Sequence, residues 1–235
     1  MSASIRTTLA PGAELVTDPG RGLFLTLEGP DGAGKSVQAA VLAERLTASG
    51  RSVLLTREPG GTPLGERIRA LLLDVETGER DALAEAMLFN AARRQLVMDV
   101  IRPALDGGAV VVCDRFADST LCYQGYGGGA PLDELRRLAE MATGGLVPDR
   151  TVLLDVAAEV GLARRRGGDA AQLTRFEVGD THDLAFHERV REGFRRMAQE
   201  DPERWRVVDA TVGPAEVSEL VWQAVRDLLD GGQRA

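Results

Sequence analysis

Short apolar runs alternate with longer amphipathic segments along most of this chain. The apolar runs have the length of buried strands and cover residues 23–28, 52–56, 109–113, 151–155 and 205–208. Elsewhere, apolar residues recur at helical spacing, which predicts helices over residues 35–49, 81–105, 131–141, 184–199 and 215–229. Because strands alternate with helices, we expect an α/β fold, a five-stranded parallel sheet with right-handed crossovers and helices on both faces.

Two other segments lack this regularity. Residues 1–22 contain prolines and glycines without a sustained period, so we expect a flexible N-terminal extension there. Residues 119–129 are rich in glycine, which taken alone indicates a loop. Nothing in the remaining sequence indicates a repeat or a linker, and we expect residues 23–235 to form a single domain.

The strongest chemical signal is the turn between the first predicted strand and the first predicted helix. It matches the phosphate-binding pattern G-x-x-x-x-G-K-[ST] and consists of Gly29, Pro30, Asp31, Gly32, Ala33, Gly34, Lys35 and Ser36. Glycines allow successive backbone N–H groups to converge at a helix N-terminus, where an anion binds. We expect the lysine to reach the β- and γ-phosphates of a nucleotide and the serine hydroxyl to ligate Mg²⁺.

Charged side chains follow two more of the predicted strands. Arg57 and Glu58 follow the second strand, and Asp114 and Arg115 follow the third. The carboxyl ends of parallel strands meet at one edge of the sheet, where open α/β folds bind ligands. A carboxylate at this edge orients Mg²⁺ in P-loop enzymes, so Asp114 is a candidate metal ligand together with Ser36. We expect Arg115 to lie beside the transferring phosphoryl group.

A run of arginines marks a further candidate region. Arg164, Arg165 and Arg166 precede a segment that contains glycine and has no periodicity. Consecutive arginines usually form a solvated helix face. In this setting they also fit a lid that closes on phosphates, which we predict over residues 164–180.

Net charge, apolar runs and cysteine content indicate which binding partners and which cellular compartment to expect. The net charge of −8 argues against a general nucleic-acid or membrane-surface binder, so we expect a small phosphorylated ligand held by local cations. The sequence has no apolar run long enough to cross a bilayer and no signal-type segment. It contains two cysteines, Cys113 and Cys122, of which we expect the first to be buried. We therefore expect a cytoplasmic protein with reduced thiols and no zinc site.

A P-loop alone does not distinguish kinases from GTPases, motor ATPases or regulatory switches. The guanine-reading segment Asn-Lys-x-Asp is absent from the sequence, and Arg115 stands where a hydrolytic ATPase typically has a glutamate to activate water. The remaining cationic groups suit a second phosphate as acceptor, which favours a kinase. A nucleotide sensor that binds without turnover stays open as an alternative.

Seven segments form a combination that is far more specific than the P-loop. They cover residues 27–36, 56–62, 86–95, 114–116, 123–125, 148–156 and 186–190. In this combination the chain resembles the bacterial thymidylate kinases over residues 23–229. The resemblance implies that the γ-phosphoryl group of ATP is transferred to dTMP with Mg²⁺, giving ADP and dTDP. A kinase of another nucleoside or deoxynucleoside monophosphate is the alternative.

The resemblance also implies roles around the phosphates. Lys35, Arg115 and a lid arginine, Arg166 or Arg175, would stabilise the transferring phosphoryl group. Arg57 and Glu58 match the segment that lines the acceptor phosphate site. Asp31 matches the residue that meets the sugar 3′-hydroxyl or the acceptor phosphate. With the small residue Gly32 in its P-loop, the chain is similar to those members of the family in which the lid supplies the arginines.

For the nucleoside, the resemblance implies an aromatic pocket. Phe89 matches the ring that stacks on thymine, and Tyr123 matches the ring under the deoxyribose, where it would crowd a 2′-hydroxyl. The other implied pocket residues are Arg69, Arg93, Ser119, Thr120 and Gln124. The family is usually a homodimer built through packed helices, and we expect the same here.

Overall fold

A computed structural model of the protein describes residues 22–74, 78, 80–166 and 184–230. The predicted extension, residues 1–22, lies outside these ranges except for Gly22. The predicted lid, residues 164–180, lies outside them after Arg166, which ends a helix. Arg175 is therefore not among the described residues, and its predicted role stays a prediction.

Strands and helices alternate through the described ranges. The strands are β1 (Phe24–Glu28), β2 (Val53–Arg57), β3 (Val110–Asp114), β4 (Arg150–Asp155) and β5 (Trp205–Asp209). The helices are α1 (Lys35–Ala48), α2 (Pro63–Leu73), α3 (Ala82–Leu96), α4 (Arg102–Asp106), α5 (Ala117–Thr120), α6 (Leu132–Thr143), α7 (Ala158–Arg166), α8 (Leu184–Glu200) and α9 (Pro214–Asp230). Two π-helical turns cover Val97–Ile101 and Leu121–Gly127. Each predicted strand is confirmed to within one residue at either end.

The five strands form one parallel sheet in the order β2-β3-β1-β4-β5. β1 is the middle strand, and β3 pairs with it so that Leu27 is opposite Asp114. The turns that follow these two strands therefore lie side by side at the carboxyl edge of the sheet. This topology brings the P-loop next to the segment that begins at Asp114.

Alternating strand residues form a core on each face of the sheet. On one face, Leu25, Leu27 and Val112 pack with apolar residues of α1 and α9. On the other face, Phe24 and Val111 pack with residues 96–105, and Leu153 packs with α8 and the second π-helical turn. The predicted helices on both faces of the sheet are thus confirmed, and the period of two along each strand is the reason.

The long helix predicted over residues 81–105 is interrupted by a π-helical turn. α3 passes into the π-helical turn Val97–Ile101 and then into α4, which has Pro103 in its first turn. Proline has no N–H and its ring would collide with the carbonyl four residues earlier in a regular helix. A π-helical turn just before Pro103 is consistent with a local adjustment of that kind.

The prediction of a loop over residues 119–129 is wrong. The chain there is helical, first in α5 and then in the π-helical turn Leu121–Gly127. The glycines serve close packing. A Cβ atom added to Gly125 would lie 2.5 Å from Leu132, and one added to Gly127 would lie 2.7 Å from Phe186. Glycine here lets α6 and α8 approach the turn that carries Tyr123.

Helix α2 was not predicted from periodicity. Its start nevertheless has a local signal, since Thr62 accepts a hydrogen bond from the N–H of Gly65 at 2.9 Å and Pro63 is the first helical residue. The helix places Arg69 and Leu73 near the carboxyl edge of the sheet, where both line the cavity described below.

Candidate active site

The P-loop has the backbone geometry of a phosphate cradle. Gly29, Gly32 and Gly34 all have positive φ angles, of 143°, 74° and 91°. Because Gly34 precedes α1 without a side chain, the first N–H groups of that helix are not capped by a side chain. Lys35 Nζ donates to the carbonyl oxygens of Gly29 at 3.0 Å and Pro30 at 2.7 Å. Burial, and then the nearby Arg115, lower the pKa of Lys35 to about 8.

The P-loop packs backbone to backbone against α7. A Cβ atom added to Gly32 would lie 2.0 Å from the carbonyl oxygen of Gly161, and one added to Gly161 would lie 2.2 Å from that of Asp31. Neither contact can relax by a side-chain movement. The pair of glycines therefore seats α7 directly on the P-loop.

Ser36 and Asp114, the predicted metal ligands, lie next to each other. Ser36 Oγ donates to Asp114 Oδ2 at 2.5 Å. The second carboxylate oxygen of Asp114, Oδ1, is buried and has no hydrogen-bond partner among the described residues. A hydroxyl and a carboxylate with a free oxygen fit Mg²⁺, which prefers oxygen ligands and completes its shell with water and substrate phosphates. The residues present therefore fit the ion.

Arg115 lies beside the P-loop in a network of oxygen atoms. Its Nη2 donates to Asp31 Oδ1 at 2.5 Å and to the hydroxyl of Tyr123 at 3.1 Å, and its Nη1 donates to Ser119 Oγ at 3.0 Å. Nη1 also lies 3.2 Å from the carbonyl oxygen of Gly29. The guanidinium group is thus held in place from several sides.

The charges in this network support each other. Burial alone would lower the pKa of Arg115, but its oxygen-bearing neighbours, Tyr123 and Asp31 first among them, raise it overall. Burial would raise the pKa of Asp31, but Arg115 and Lys35 lower it. At neutral pH the pair is therefore a cation and an anion at the mouth of the P-loop.

A cavity adjoins this network at the carboxyl edge of the sheet. It is lined by Asp31, Glu58, Pro59, Arg69, Leu73, Phe89, Arg93, Arg115, Phe116, Ser119, Thr120, Tyr123, Gln124 and Arg165. Of the ten predicted substrate-binding residues, nine line the cavity. The exception is Arg57, whose Nη2 donates to both carboxylate oxygens of Glu66, at 3.1 Å and 3.0 Å.

The pairing of Arg57 with Glu66 uses Nη2 and does not involve the Nε donor. Its Nε atom is buried and has no hydrogen-bond partner among the described residues. The neighbouring Arg69 donates from Nη1 to the carbonyl oxygen of Pro59 at 3.0 Å. Burial, and then the charge of Arg57, lower the pKa of Arg69. The carboxylate of Glu66, which pairs with Arg57, opposes that shift.

A buried ion pair forms one wall of the cavity. Arg93 Nε donates to Glu58 Oε2 at 2.8 Å, with the two side chains 1% and 4% exposed. The guanidinium also donates to Asn90 Oδ1, the carbonyl oxygen of Phe116 and Thr120 Oγ1. Burial raises the pKa of Glu58 to about 7, although Arg93 opposes that shift. The rigid arrangement of Arg93 fixes a planar cation where a base edge would fit.

Aromatic and amide groups complete the cavity. Tyr123 is buried between the rings of Phe186 and Phe194, each 6.3 Å away, while its hydroxyl reaches Arg115. Phe89 of α3 is half-buried and faces the cavity. Gln124 Nε2 donates to Glu85 Oε2 at 3.0 Å, which fixes the orientation of the amide. The cavity therefore offers flat apolar surfaces and a few polar groups of defined direction.

Comparison with known proteins agrees with this geometry. The thymidylate kinase family model matches residues 27–221. A curated thymidylate kinase from Thermomicrobium roseum is 54% identical over 212 residues, which cover 90% of this chain and 98% of the relative. One from Deinococcus radiodurans is 50% identical over 209 residues, covering 88% of this chain and 98% of that relative. The chain belongs to the thymidylate kinase family.

A solved structure of the thymidylate kinase family supports the same assignment. The crystal structure of thymidylate kinase from Ehrlichia chaffeensis matches with a TM-score of 0.71 at 34% identity, covering 88% of this chain and 99% of that chain. The predicted P-loop kinase fold and the predicted enzyme, a dTMP kinase, are thereby confirmed. Within the described ranges, none of the helices combines the length and the apolar character needed to span a bilayer.

The described part of the predicted lid contains three arginines, which occupy the end of α7. Arg164 Nη1 donates to the carbonyl oxygen of Ala210 at 2.8 Å, away from the cavity. Arg165 lines the cavity. Arg166, which we predicted to be catalytic, is the last residue of α7. Since Arg165 is four residues after Gly161, both lie on the helix face that is turned to the P-loop.

The sequence did not lead us to several polar residues of the candidate active site. Glu85 and Asn90 were not predicted as site residues, but both are buried against cavity residues. Glu28 was read as the end of an apolar strand, yet its carboxylate contacts the segment after β3. A glutamate that ends a buried central strand was the available signal, because such a group requires a partner.

Proposed function

We propose that this enzyme transfers the γ-phosphoryl group of ATP to dTMP and forms ADP and dTDP, with ATP on the P-loop and dTMP in the adjoining cavity. The observation that carries the proposal is the position of Arg115. Its Nη2 atom donates both to Asp31 of the P-loop and to Tyr123 of the cavity wall. A cation at this junction can stabilise charge on both nucleotides at once.

The cavity suits a deoxynucleoside monophosphate whose base is thymine. Phe89 is placed to stack on the base, and Arg93 and Gln124 to donate hydrogen bonds to its edge. Tyr123 would lie under the deoxyribose, where its ring leaves little room for a 2′-hydroxyl. Thr120, Ser119 and Arg69 would complete the pocket around the base and sugar.

The phosphate of dTMP would lie between the cavity and the P-loop. Asp31 would accept a hydrogen bond from the sugar 3′-hydroxyl, and Arg57 and Arg115 would bind the phosphate oxygens. Glu58 would act indirectly, because it holds Arg93 in place. The buried and unpartnered Nε of Arg57 supports a ligand at this position.

The donor side of the site would be formed by the P-loop. Backbone N–H groups of residues 31–36 would bind the ATP phosphates, and Lys35 would exchange its present carbonyl partners for phosphate oxygens. Ser36 and Asp114 would hold Mg²⁺, which would supply positive charge to the ATP phosphates. The unpartnered Oδ1 of Asp114 supports this assignment.

The reaction needs no general base. The second pKa of a phosphate monoester is about 6, so the acceptor oxygen is already anionic at neutral pH. That oxygen forms a bond to the γ-phosphorus as the bond from the γ-phosphorus to the β,γ-bridging oxygen breaks, and ADP leaves. The protein's task is to bring two polyanions together. Lys35 and Arg115 would offset their repulsion and stabilise the charge of the transition state.

Arginines of the predicted lid would add further positive charge. Arg166 and Arg175 remain candidates for this role, and the position of Arg165 in the cavity wall adds a third. With Gly32 in the P-loop, α7 can lie close enough to the site for its arginines to reach the phosphates. A cation from α7 would thus act together with Lys35 and Arg115.

A coupled assay of ADP formation tests the proposal. The enzyme is given ATP, Mg²⁺ and in turn dTMP, dUMP, dCMP and ribothymidine monophosphate. We expect the highest kcat/KM with dTMP and a loss of about 100-fold or more in Arg115→Ala. Arg136→Ala, an exposed arginine on α6, is the matched control and should leave the rate unchanged. A preference for another monophosphate would overturn the base-pocket assignments.

We also propose that the enzyme is a cytoplasmic homodimer that binds neither membranes nor nucleic-acid polymers. The dimer is supported by apolar side chains exposed on α2 and α3, namely Leu64, Leu71 and Met87. The reduced, cytoplasmic state is supported by Cys113 and Cys122, which are both free and buried. Light scattering after gel filtration measures the oligomeric state, and a monomer at micromolar concentration would contradict the first part.

A further inference from the structure

Glu28 is a buried acidic residue that has no role in the proposed phosphoryl transfer. It ends β1, the middle strand of the sheet, and it is fully buried. It is not among the residues that line the described cavity. Burial of a carboxylate is unfavourable unless hydrogen bonds compensate, so the partners of its two oxygens indicate what it does.

Both oxygens accept hydrogen bonds from the segment that carries Arg115. Oε1 accepts from the backbone N–H of Phe116 at 2.7 Å, and Oε2 accepts from the hydroxyl of Ser119 at 2.6 Å. These partners lie 88 and 91 residues away in sequence. Glu28 therefore ties the end of β1 to the turn that follows β3.

The first of these bonds holds an unusual backbone conformation. Arg115 has a φ of 69°, in the left-handed region, and it is the one residue other than glycine with positive φ within the described ranges. Such a conformation persists where its surroundings hold it, and it is common at functional sites. The N–H of Arg115 donates to Leu27 O at 3.0 Å, and the next N–H, of Phe116, donates to Glu28. Two successive bonds to β1 thus fix the turn.

The second bond acts on the side chain of Arg115. Ser119 Oγ donates its single hydrogen to Glu28, which leaves its lone pairs for Nη1 of Arg115 at 3.0 Å. The Glu28 carboxyl oxygen that accepts from the serine therefore determines which way the hydroxyl points. Nη2 of Arg115, on the other side of the guanidinium, is shared by Asp31 and Tyr123, which both line the cavity.

We propose that Glu28 is a positioning residue for phosphoryl transfer, holding the turn at Arg115 and, through Ser119, the Arg115 guanidinium in the geometry that the reaction uses. The inference rests on the proposed role of Arg115. It assigns to Glu28 no contact with either nucleotide. Its effect is therefore on the rate of transfer more than on the binding of substrates.

Glu28→Gln tests this proposal because the side chain keeps its size while one acceptor becomes a donor. The amide oxygen can still accept from Phe116, but the NH₂ group then faces Ser119, whose hydrogen loses its acceptor. With saturating ATP and Mg²⁺ we expect kcat for dTMP to fall about 10-fold to 100-fold and KM to change less than about threefold. Glu28→Asp keeps the charge and should recover part of the loss.

A double-variant cycle with Arg115→Ala distinguishes positioning from a general structural role. If Glu28 acts through Arg115, Glu28→Gln should change kcat by less than about twofold in the Arg115→Ala background. An equal loss in both backgrounds would overturn the proposal, as would an unchanged kcat in Glu28→Gln alone. An unchanged kcat in Arg115→Ala alone would instead refute the proposed role of Arg115, and this proposal with it.

Asp118→Asn is the matched control for lost stability. Asp118 lies in α5 next to Ser119, and its carboxylate pairs with Arg204 at 2.6 Å. We expect this variant to melt earlier but to keep kcat within about twofold at a temperature where it is folded. A fall as large as that of Glu28→Gln would count against the proposal. If Glu28→Gln does not fold, Ser119→Ala takes its place in the cycle with Arg115→Ala. Losses of kcat that add in the double variant would refute the proposal, and losses that do not add would support it.

Discussion

Glu58 and Arg93, 35 residues apart in sequence, form a buried ion pair at 2.8 Å that joins the residue after β2 to the last turn of α3. Arg93 makes three further hydrogen bonds, to Asn90, Phe116 and Thr120. The pair therefore connects three segments that each contribute to the candidate dTMP cavity. Because both groups are removed from water, the charge of Glu58 depends on Arg93, which opposes the rise in the pKa of this carboxyl group.

Arg93→Met should destabilise the protein strongly. The substitution keeps the apolar part of the side chain but leaves Glu58 buried without its cation, which costs roughly 3 to 5 kcal/mol of unfolding free energy. Adding Glu58→Gln should recover part of the loss. Arg150→Met is a suitable control because that buried arginine pairs with Asp227, whose side chain is 56% exposed and can be solvated. Urea unfolding measures all four proteins, and a cost below about 1 kcal/mol for Arg93→Met would contradict the argument.

The pairing of Ser36 with Asp114 predicts a defect in metal use. Ser36→Ala and Asp114→Asn each remove an oxygen that fits Mg²⁺, so the concentration of free Mg²⁺ at half-maximal activity should rise at least about 10-fold. The measurement is a Mg²⁺ titration of activity at fixed ATP. Ser218→Ala removes a serine that bonds to Gln38 away from the P-loop and should leave the titration unchanged. Unshifted midpoints in both site variants would exclude the proposed ligands.

The sequence was sufficient to predict the sheet and most of the site because these features are local or repetitive. Five apolar runs predicted five strands, and parallel pairing then predicted that the P-loop and Asp114 lie at the same edge of the sheet. The aromatic and amide residues of the cavity came from the family resemblance, and the structure brings nine of the ten predicted substrate residues to its wall.

The features that were missed depend on tertiary contacts. The helix at residues 121–127 needs glycines that fit against Leu132 and Phe186, which no local pattern reveals. Glu85 is buried because Gln124 donates to it from another helix. In the lid, the run of three arginines did not indicate which of them faces the cavity. Arg165 does so because the close contact between Gly32 and Gly161 seats α7 on the P-loop.

Arg165→Ala should reduce the rate of phosphoryl transfer. Its place in the cavity wall gives it access to phosphate oxygens, and loss of one such cation typically costs about 10-fold to 1,000-fold in kcat. Arg137→Ala, an exposed arginine on α6, is the control. Single-turnover measurements with dTMP and ATP compare Arg165→Ala with Arg166→Ala. A loss confined to Arg166→Ala would return the catalytic role to the residue predicted from the sequence.

The buried carboxyl group of Glu28 should make stability depend on pH. Burial, and then Asp118, raise its pKa from 4.5 to about 7, while Arg115 opposes the shift. The folded state therefore binds more protons than the unfolded state between about pH 4.5 and 7, and the stability that this group contributes at low pH is lost as pH rises through that window. The unfolding free energy of the wild type relative to Glu28→Gln should fall by roughly 2 to 3 kcal/mol between about pH 5 and pH 8, measured by urea unfolding. Glu188→Gln, at an exposed position of α8, should show no such change, and an equal difference at both pH values for Glu28→Gln would show that Glu28 titrates near its ordinary pKa.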